Sequence, residues 1–382
     1  MTPPARWRLP DTVRALWVVR TSLVSRASIE RVVELACRYQ FNTLFAQVRG
    51  RGDAYYRSTI EPRAEALNNQ PADFDPLAYL LRCAEGTGLM IHAWLNVFYV
   101  WSQPRRPKSP LHVVNRAPQW IARDPHNRYQ MTTAGKVEGV YLCPSNSNVR
   151  THTLKVFAEV AQRYPTLAGL HLDYVRYPYE GYCYCVGCRT RFRQAMLERV
   201  SDPQKQALDH ASRRNLFAWI EAFPSEWSDW RREQVNTFVY QFSRQSRRAN
   251  PNLILSAAVW PEPQMAYLHK LQDWLYWIRA DWLDTLVLMA YDKDTARVAR
   301  QIQSALFQVG DRPIIGGIGA WQIPPISTVN KIQAVLQAGA RGYSLFSYDA
   351  ITQNGTCEDY LLALPNRRIG ERPLPYGSGH PM

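Results

Sequence analysis

Eight short runs of apolar, β-branched and aromatic residues recur along the chain, and each is closed by turn or helix signals, as buried parallel strands are. They open near Arg14, Asn42, Leu89, Gly169, Leu253, Trp282, Pro313 and Gly342, so successive starts lie 28, 47, 80, 84, 29, 31 and 29 residues apart. Four of those seven spacings fit one strand, one helix and two short loops, and the other three carry insertions. The pattern predicts an α/β fold, a (β/α)8 TIM barrel with large insertions after strands three and four.

The stretches between the runs read as amphipathic helices. Ser28 caps a helix whose Ile29, Val32, Val33 and Ala36 share one face, and Asp75-Pro76 sets a cap and a first-turn proline ahead of Leu77, Leu80, Leu81 and Ala84. Leu154, Phe157 and Val160 mark the helix before strand four, and Val329, Ile332, Val335 and Leu336 the one before strand eight. The barrel is expected over residues 13–365, after a lead-in at 1–12 and before a loosely held tail at 366–382 rich in proline and glycine. The insertions fall at about 99–146 and 177–252. Loops that leave strand C-termini gather at the catalytic face of such barrels, so both are expected to wall a cleft there.

Composition narrows the class. The 382 residues hold 46 Lys+Arg against 32 Asp+Glu, a net charge of +14, with 46% hydrophobic residues, which excludes a disordered or collagen-like chain. Without a block of five or six consecutive basic residues or a nucleic-acid module, the charge reads as attraction to anions in general, an acidic polymer such as cell-wall glycan among them. No stretch reaches the roughly 18 apolar residues of a membrane span. The N-terminus lacks the apolar core of a secretory signal, so the expected location is the cytoplasm for the sequence as it stands, or the cell envelope if a leader has been removed. Oligomeric state is not legible.

If the runs close into a barrel, the polar groups at their C-terminal ends converge. They are Arg49 after strand two; His92, Trp94 and Asn96 on strand three; His171, Asp173, Arg176 and Tyr177 on and after strand four; Trp260 and Glu262 after strand five; Tyr291 and Asp292 after strand six; Trp321 after strand seven; and Asp349 after strand eight. Glycosidic cleavage needs two carboxyl groups flanking the scissile oxygen, and aromatic faces suit the C–H faces of sugar rings. Asp173 stands inside an apolar strand, Leu170-His-Leu-Asp-Tyr-Val, where an ion is costly without a partner or a task. It is expected to act as nucleophile or charge stabiliser; the bland alternative is an ion pair with Arg176 or Arg49. Glu262 is the leading acid/base because Trp260 beside it can exclude water, with Asp292 and Asp349 as competitors. Arg49, His92, Asn96, His171, Arg176, Tyr177, Tyr291 and Asp349 are candidate substrate ligands, and Trp94, Trp260 and Trp321 candidate walls; His92 and His171 read equally well as barrel-core histidines. Gly316, Gly317 and Gly319 read as close packing rather than a phosphate site.

Arg14-Ala-Leu-Trp-Val, Asn42-Thr-Leu-Phe-Ala-Gln-Val-Arg-Gly-Arg-Gly-Asp-Ala-Tyr-Tyr-Arg-Ser, Phe74-Asp-Pro-Leu, Gly88-Leu-Met-Ile-His-Ala-Trp-Leu-Asn and Gly169-Leu-His-Leu-Asp-Tyr-Val-Arg-Tyr-Pro occur in that order. Together they resemble the glycosyl hydrolase-like 10 family, also called DUF187 or YngK-like, from about residue 13 to residue 350. The resemblance implies a TIM-barrel glycoside hydrolase acting on a bacterial polysaccharide, without an organic cofactor, in a family whose members are often exported lipoproteins. At least one member acts on peptidoglycan glycan strands stripped of peptides. It also implies that the family's strand-four acid is Asp173. Many members have a second Asp directly after it, where this chain has Tyr174. A carbohydrate-binding barrel that does not catalyse is the alternative from another class, and a nucleic-acid binder the third.

Three of the seven cysteines crowd into Cys183-Tyr-Cys185-Val-Gly-Cys188. Their spacing leaves three readings: free thiols, a Cys183–Cys188 disulfide in an exported chain, or a structural zinc whose fourth ligand comes from elsewhere in the fold.

Overall fold

The computed structural model describes residues 7–364; the 366–382 tail lies outside them. Ten strands occur in chain order: β1 (Val13–Val18), β2 (Thr43–Arg49), β3 (Met90–Asn96), β4 (Tyr99–Trp101), β5 (Val140–Tyr141), β6 (Gly169–Asp173), β7 (Ile254–Val259), β8 (Thr285–Met289), β9 (Ile314–Gly319) and β10 (Gly342–Phe346). Eight of them close into a barrel in the order β1-β10-β9-β8-β7-β6-β3-β2, every pair parallel. β4 and β5 form a separate antiparallel pair beside the barrel.

Seven barrel strands begin within one residue of the expected starts. The sixth run is the exception: β8 starts at Thr285, because Asp281 adopts a left-handed conformation and Asp284 takes the backbone N–H of Leu255 on its carboxylate, so the run's first residues turn into the strand. The first helix, Arg26–Arg38, is capped by Ser25 rather than Ser28. Ser28 instead sits at the third helical position and completes a reciprocal capping box, while Ile29, Val32, Val33 and Ala36 are buried as the periodicity requires. Asp75 caps Pro76–Ala84 by accepting from the Ala78 N–H at 3.0 Å.

Strand alternation decides what faces the barrel axis. Val13, Ala15 and Trp17 of β1 meet Phe45 of β2, Trp94 of β3, Ala258 of β7, Val287 of β8 and Ile315 of β9 in one interior cluster. On β6 the inward positions are Gly169, His171 and Asp173. A Cβ at Gly169 would stand 2.3 Å from His92 Nδ1, and one at Gly317 would stand 2.8 Å from the Trp17 ring, so glycine makes room for the large side chains that fill the barrel. Asp173 follows His171 by two residues and therefore occupies the top of the interior, level with Asn96 across the β3–β6 ladder.

Between β3 and the helix Ser147–Arg163 lies the β4–β5 pair with two short helical turns; between β6 and β7 lie four helices, ending in the 26-residue Pro224–Ala249. Among the described residues no helix is long and apolar enough to cross a membrane.

Candidate active site

Asp173 ends β6 at the barrel's C-terminal mouth with 8% of its surface exposed. Its Oδ2 accepts the indole N–H of Trp94 at 3.1 Å, and its Oδ1 accepts the backbone N–H of Tyr174 at 2.6 Å. Tyr174 has φ +51°, an unfavourable conformation for a bulky residue, and this sharp turn points its N–H back at the acid. Burial raises the Asp173 carboxyl from 3.8 to about 6, against the lowering pull of those donors and of Arg176.

A second carboxylate lies in the same electrostatic cluster. Glu138, two residues before β5, accepts from Arg176 Nη2 at 2.7 Å and from the Tyr141 hydroxyl at 2.8 Å. Its burial is outweighed by Arg176, so its pKa falls below the ordinary value. Burial works against the Arg176 charge, but Tyr141 and Glu138 override it and hold the guanidinium protonated above the face of Tyr174, 4.9 Å from the ring centre. Burial thus pushes the Asp173 carboxyl up while Arg176 holds the Glu138 carboxyl down.

Aromatic rings line the mouth. Phe346 packs between Trp94 and Trp321, at centroid separations of 6.1 and 5.4 Å, and Tyr291 stands edge-on to Trp321 at 5.0 Å. Trp321 is 46% exposed, and burial together with the Asp173 charge raises the Tyr291 phenol well above its usual value. On the same face, Arg20, Arg51, Asp53, Trp101, Arg105 and Lys108 contribute to a cleft of about 410 Å³. Burial and then Arg20 lower the Arg51 pKa. The hairpin strand β4 joins the two areas: Tyr99 stacks on Tyr174 at 4.5 Å, and Trp101 lines the cleft.

A family model described as glycosyl hydrolase-like 10 matches residues 12–326. The chain belongs to the glycosyl hydrolase-like 10 family. Curated relatives include glycosyl hydrolase YngK of Bacillus subtilis (strain 168), 24% identical over 215 residues that cover 55% of this chain, and glycosyl hydrolase DigH of Escherichia coli (strain K12), 26% identical over 162 residues that cover 40% of it. Either match spans 35% of the relative's own length. Among solved structures, the catalytic domain of β-amylase from Paenibacillus polymyxa superposes with a TM-score of 0.64 at 13% identity, covering 93% of this chain and 97% of that one. The β-galactosidase from Bacillus circulans sp. alkalophilus gives 0.62 at 13% identity, covering 88% of this chain and 50% of that one. These likenesses establish the TIM-barrel fold.

In this glycosyl hydrolase-like 10 barrel the other sequence-derived candidates take varied positions. Trp94, Arg176, Tyr291 and Trp321 gather about Asp173. Glu262 is bound by Arg297 at 3.1 Å and Gln301 at 3.0 Å, and it borders a cleft of about 620 Å³ shared with Gln301, Ser304 and Gln308 of an outer helix. Asp292 shares Arg297 at 3.4 Å. Neither is hydrogen-bonded or ion-paired to Asp173. Trp260 faces Lys270, whose ammonium lies 4.9 Å from the ring; burial and then Arg176 bring that amine down to about 8.

Several expected ligands are instead held in the framework. Arg49 is fully buried, paired with Glu61 through Nη2 at 2.6 Å and Nε at 2.7 Å, and it also donates to the carbonyls of Asn96 and Val97. Asn96 donates to the Gly50 carbonyl. His171 accepts from Trp17 Nε1 at 3.1 Å, meets Ser256 Oγ at 2.9 Å and stacks on Phe45, and burial keeps it neutral. Burial likewise takes His92 down to about 3. Asp349 receives the Val19 N–H and the hydroxyls of Ser22 and Thr21, tying the loop after β1 to the end of β10.

Sequence reasoning missed Glu138. The only signal for it was indirect: it and Asp124 are the sole acids between residues 86 and 158. It also missed the partner of the cysteine triplet. Cys143 stands with Cys183, Cys185 and Cys188, the four sulfurs within 4.8 Å of one another, a group able to hold a metal ion. All seven cysteines are free, so the Cys183–Cys188 disulfide is not formed. Tyr177, expected as a ligand, is buried beside this cluster.

Proposed function

We propose that this protein hydrolyses O-glycosidic bonds in an acidic bacterial polysaccharide, peptidoglycan glycan strands being the leading candidate. The observation that carries the reading is Asp173: a buried carboxyl at the end of a barrel strand, protonated up to about pH 6, within an aromatic-lined mouth. In this scheme Asp173 gives its proton to the glycosidic oxygen as the bond to the anomeric carbon breaks. Glu138, ionised beside Arg176, stabilises the developing positive charge or activates the attacking water. This exchanges the roles expected from sequence, where Asp173 was the ionised group. The exposed Trp321 and the half-buried Tyr291 offer faces to sugar rings, and the cationic cleft near Arg20 and Arg51 suits carboxylates carried on the glycan.

The test is incubation with denuded peptidoglycan and a panel of neutral polysaccharides, with products analysed by mass and anomeric configuration. Wild type is expected to release sugar fragments from the acidic glycan. Glu138→Gln should lower that rate by about 10²-fold or more, while Glu262→Gln stays within about tenfold. The opposite ranking would make Glu262 the partner acid. Binding of the glycan without release of any fragment would replace the hydrolase reading by a carbohydrate-binding barrel.

A further inference from the structure

The group Cys143, Cys183, Cys185 and Cys188 plays no part in the proposed glycan chemistry, and its geometry is specific. Cys143 and Cys188 sulfurs are 3.3 Å apart, Cys185 and Cys143 3.9 Å, and all four lie within 4.8 Å of one another. Four zinc–sulfur bonds of about 2.3 Å in a tetrahedron put neighbouring sulfurs about 3.8 Å apart. A disulfide would join two sulfurs at about 2.05 Å and leave the other two unexplained. Four thiolates and no open position make a closed, structural site, and soft sulfur donors in this number favour zinc.

The surroundings are those of a metal–thiolate centre. The Arg123 N–H points at Cys183 Sγ from 3.2 Å, and Ser145 Oγ lies 3.0 Å from Cys188 Sγ and 3.2 Å from Cys143 Sγ, itself held by Arg191 at 2.9 Å. Such outer hydrogen bonds orient ligands and spread their charge. Arg231 is 2% exposed and within Coulombic reach of Cys183 and Cys188. Among the described residues no carboxylate pairs with it; its hydrogen bonds go to the carbonyls of Glu180, Tyr182 and Trp227. Arg150, close to both Cys143 and Arg191, adds a further cation. A zinc tetrathiolate carries two negative charges, which cations placed about the four sulfurs offset.

We propose that these four cysteines bind one zinc ion that fastens the segment after β3 to the segment after β6. Cys143 lies five residues beyond Glu138, and Cys183 seven beyond Arg176, so the metal anchors the loops that bring those two groups together. The proposal is independent of the glycosidase reading, and its test needs no substrate.

Wild-type protein purified under reducing conditions from zinc-supplemented culture is analysed by elemental mass spectrometry and by thiol alkylation with peptide mapping. The expected result is one zinc per chain, alkylation of Cys37, Cys83 and Cys357 in the native state, and alkylation of all seven only after denaturation with a chelator. Cobalt(II) exchanged into the site should give the thiolate charge-transfer absorption of a four-sulfur tetrahedron. Cys185→His, which keeps a ligand, should retain the metal, and Cys185→Ala should lose it. Wild type that carries no zinc, takes up no cobalt and alkylates at all four positions in its native state overturns the proposal, as does a chain that carries iron in place of zinc. The wild-type measurements decide the matter even if a variant fails to fold.

Discussion

Asp173→Asn is expected to remove catalysis and to make the fold progressively more stable relative to wild type as pH rises. Loss of a positioned proton donor lowers glycan cleavage by about 10²–10⁴-fold. The stability effect depends on pH. Because burial holds the Asp173 carboxyl near 6 in the folded protein against 3.8 ordinarily, ionisation is easier in the unfolded chain, and wild type loses stability as pH rises between those values. The penalty, complete above about pH 6, is on the order of 3 kcal/mol at most. Asparagine fills the same space and carries no charge, but its one carbonyl oxygen accepts from only one of the Trp94 and Tyr174 N–H groups, so the variant loses a hydrogen bond at every pH. The thermal midpoint of the variant relative to wild type should therefore rise between pH 4 and pH 7, by the wild type's ionisation penalty. A difference in midpoint that does not change over that range would contradict the raised Asp173 carboxyl.

Glu61→Gln should give the largest loss of stability. Glu61 and Arg49 form a bidentate pair with both side chains almost fully buried, and His152 approaches the same carboxylate at 3.4 Å. Burial alone would raise the Glu61 pKa, yet Arg49 brings it down to about 2. Removing the anion leaves the guanidinium buried and unpaired, at about 3–5 kcal/mol. Arg49→Met combined with Glu61→Gln removes both charges and should recover part of that loss, as chemical denaturation of the single and double variants will show. The pair's contribution is present above about pH 4.5 and disappears as pH falls through about 2, because protonating Glu61 dissolves the pair. Equal destabilisation of the single and double variants would show that removing the unpaired guanidinium recovers nothing, and that its buried charge is not the source of the loss.

The barrel was legible because a parallel strand buried on both sides must be apolar throughout, and that leaves a mark on a single chain. Asp173 stands out in the sequence for the same reason: a lone acid in such a strand is conspicuous. Beyond a strand's last residue parity no longer applies, which is why Glu262 leads in the sequence with Asp292 and Asp349 as competitors, while the folded chain ties Glu262 and Asp292 to Arg297. Glu138 and Cys143 come from a long connection without periodicity, and their neighbours, Arg176 and Cys183, follow about 40 residues later. Arg49 shows the same limit from the other side. Its place at a strand end marks it as a ligand, and only the loop that carries Glu61 back against it makes it part of the core.

The central claim is that Asp173 carries the proton that departs with the glycosidic oxygen, and the pH dependence of kcat/KM for glycan cleavage by wild type tests it most directly, because that quantity reports the free enzyme's ionisations. The prediction is a rate that falls as pH rises through about 6. A kcat/KM that stays level between about pH 5 and 8, or that already falls near the ordinary aspartate value of about 4, would contradict it.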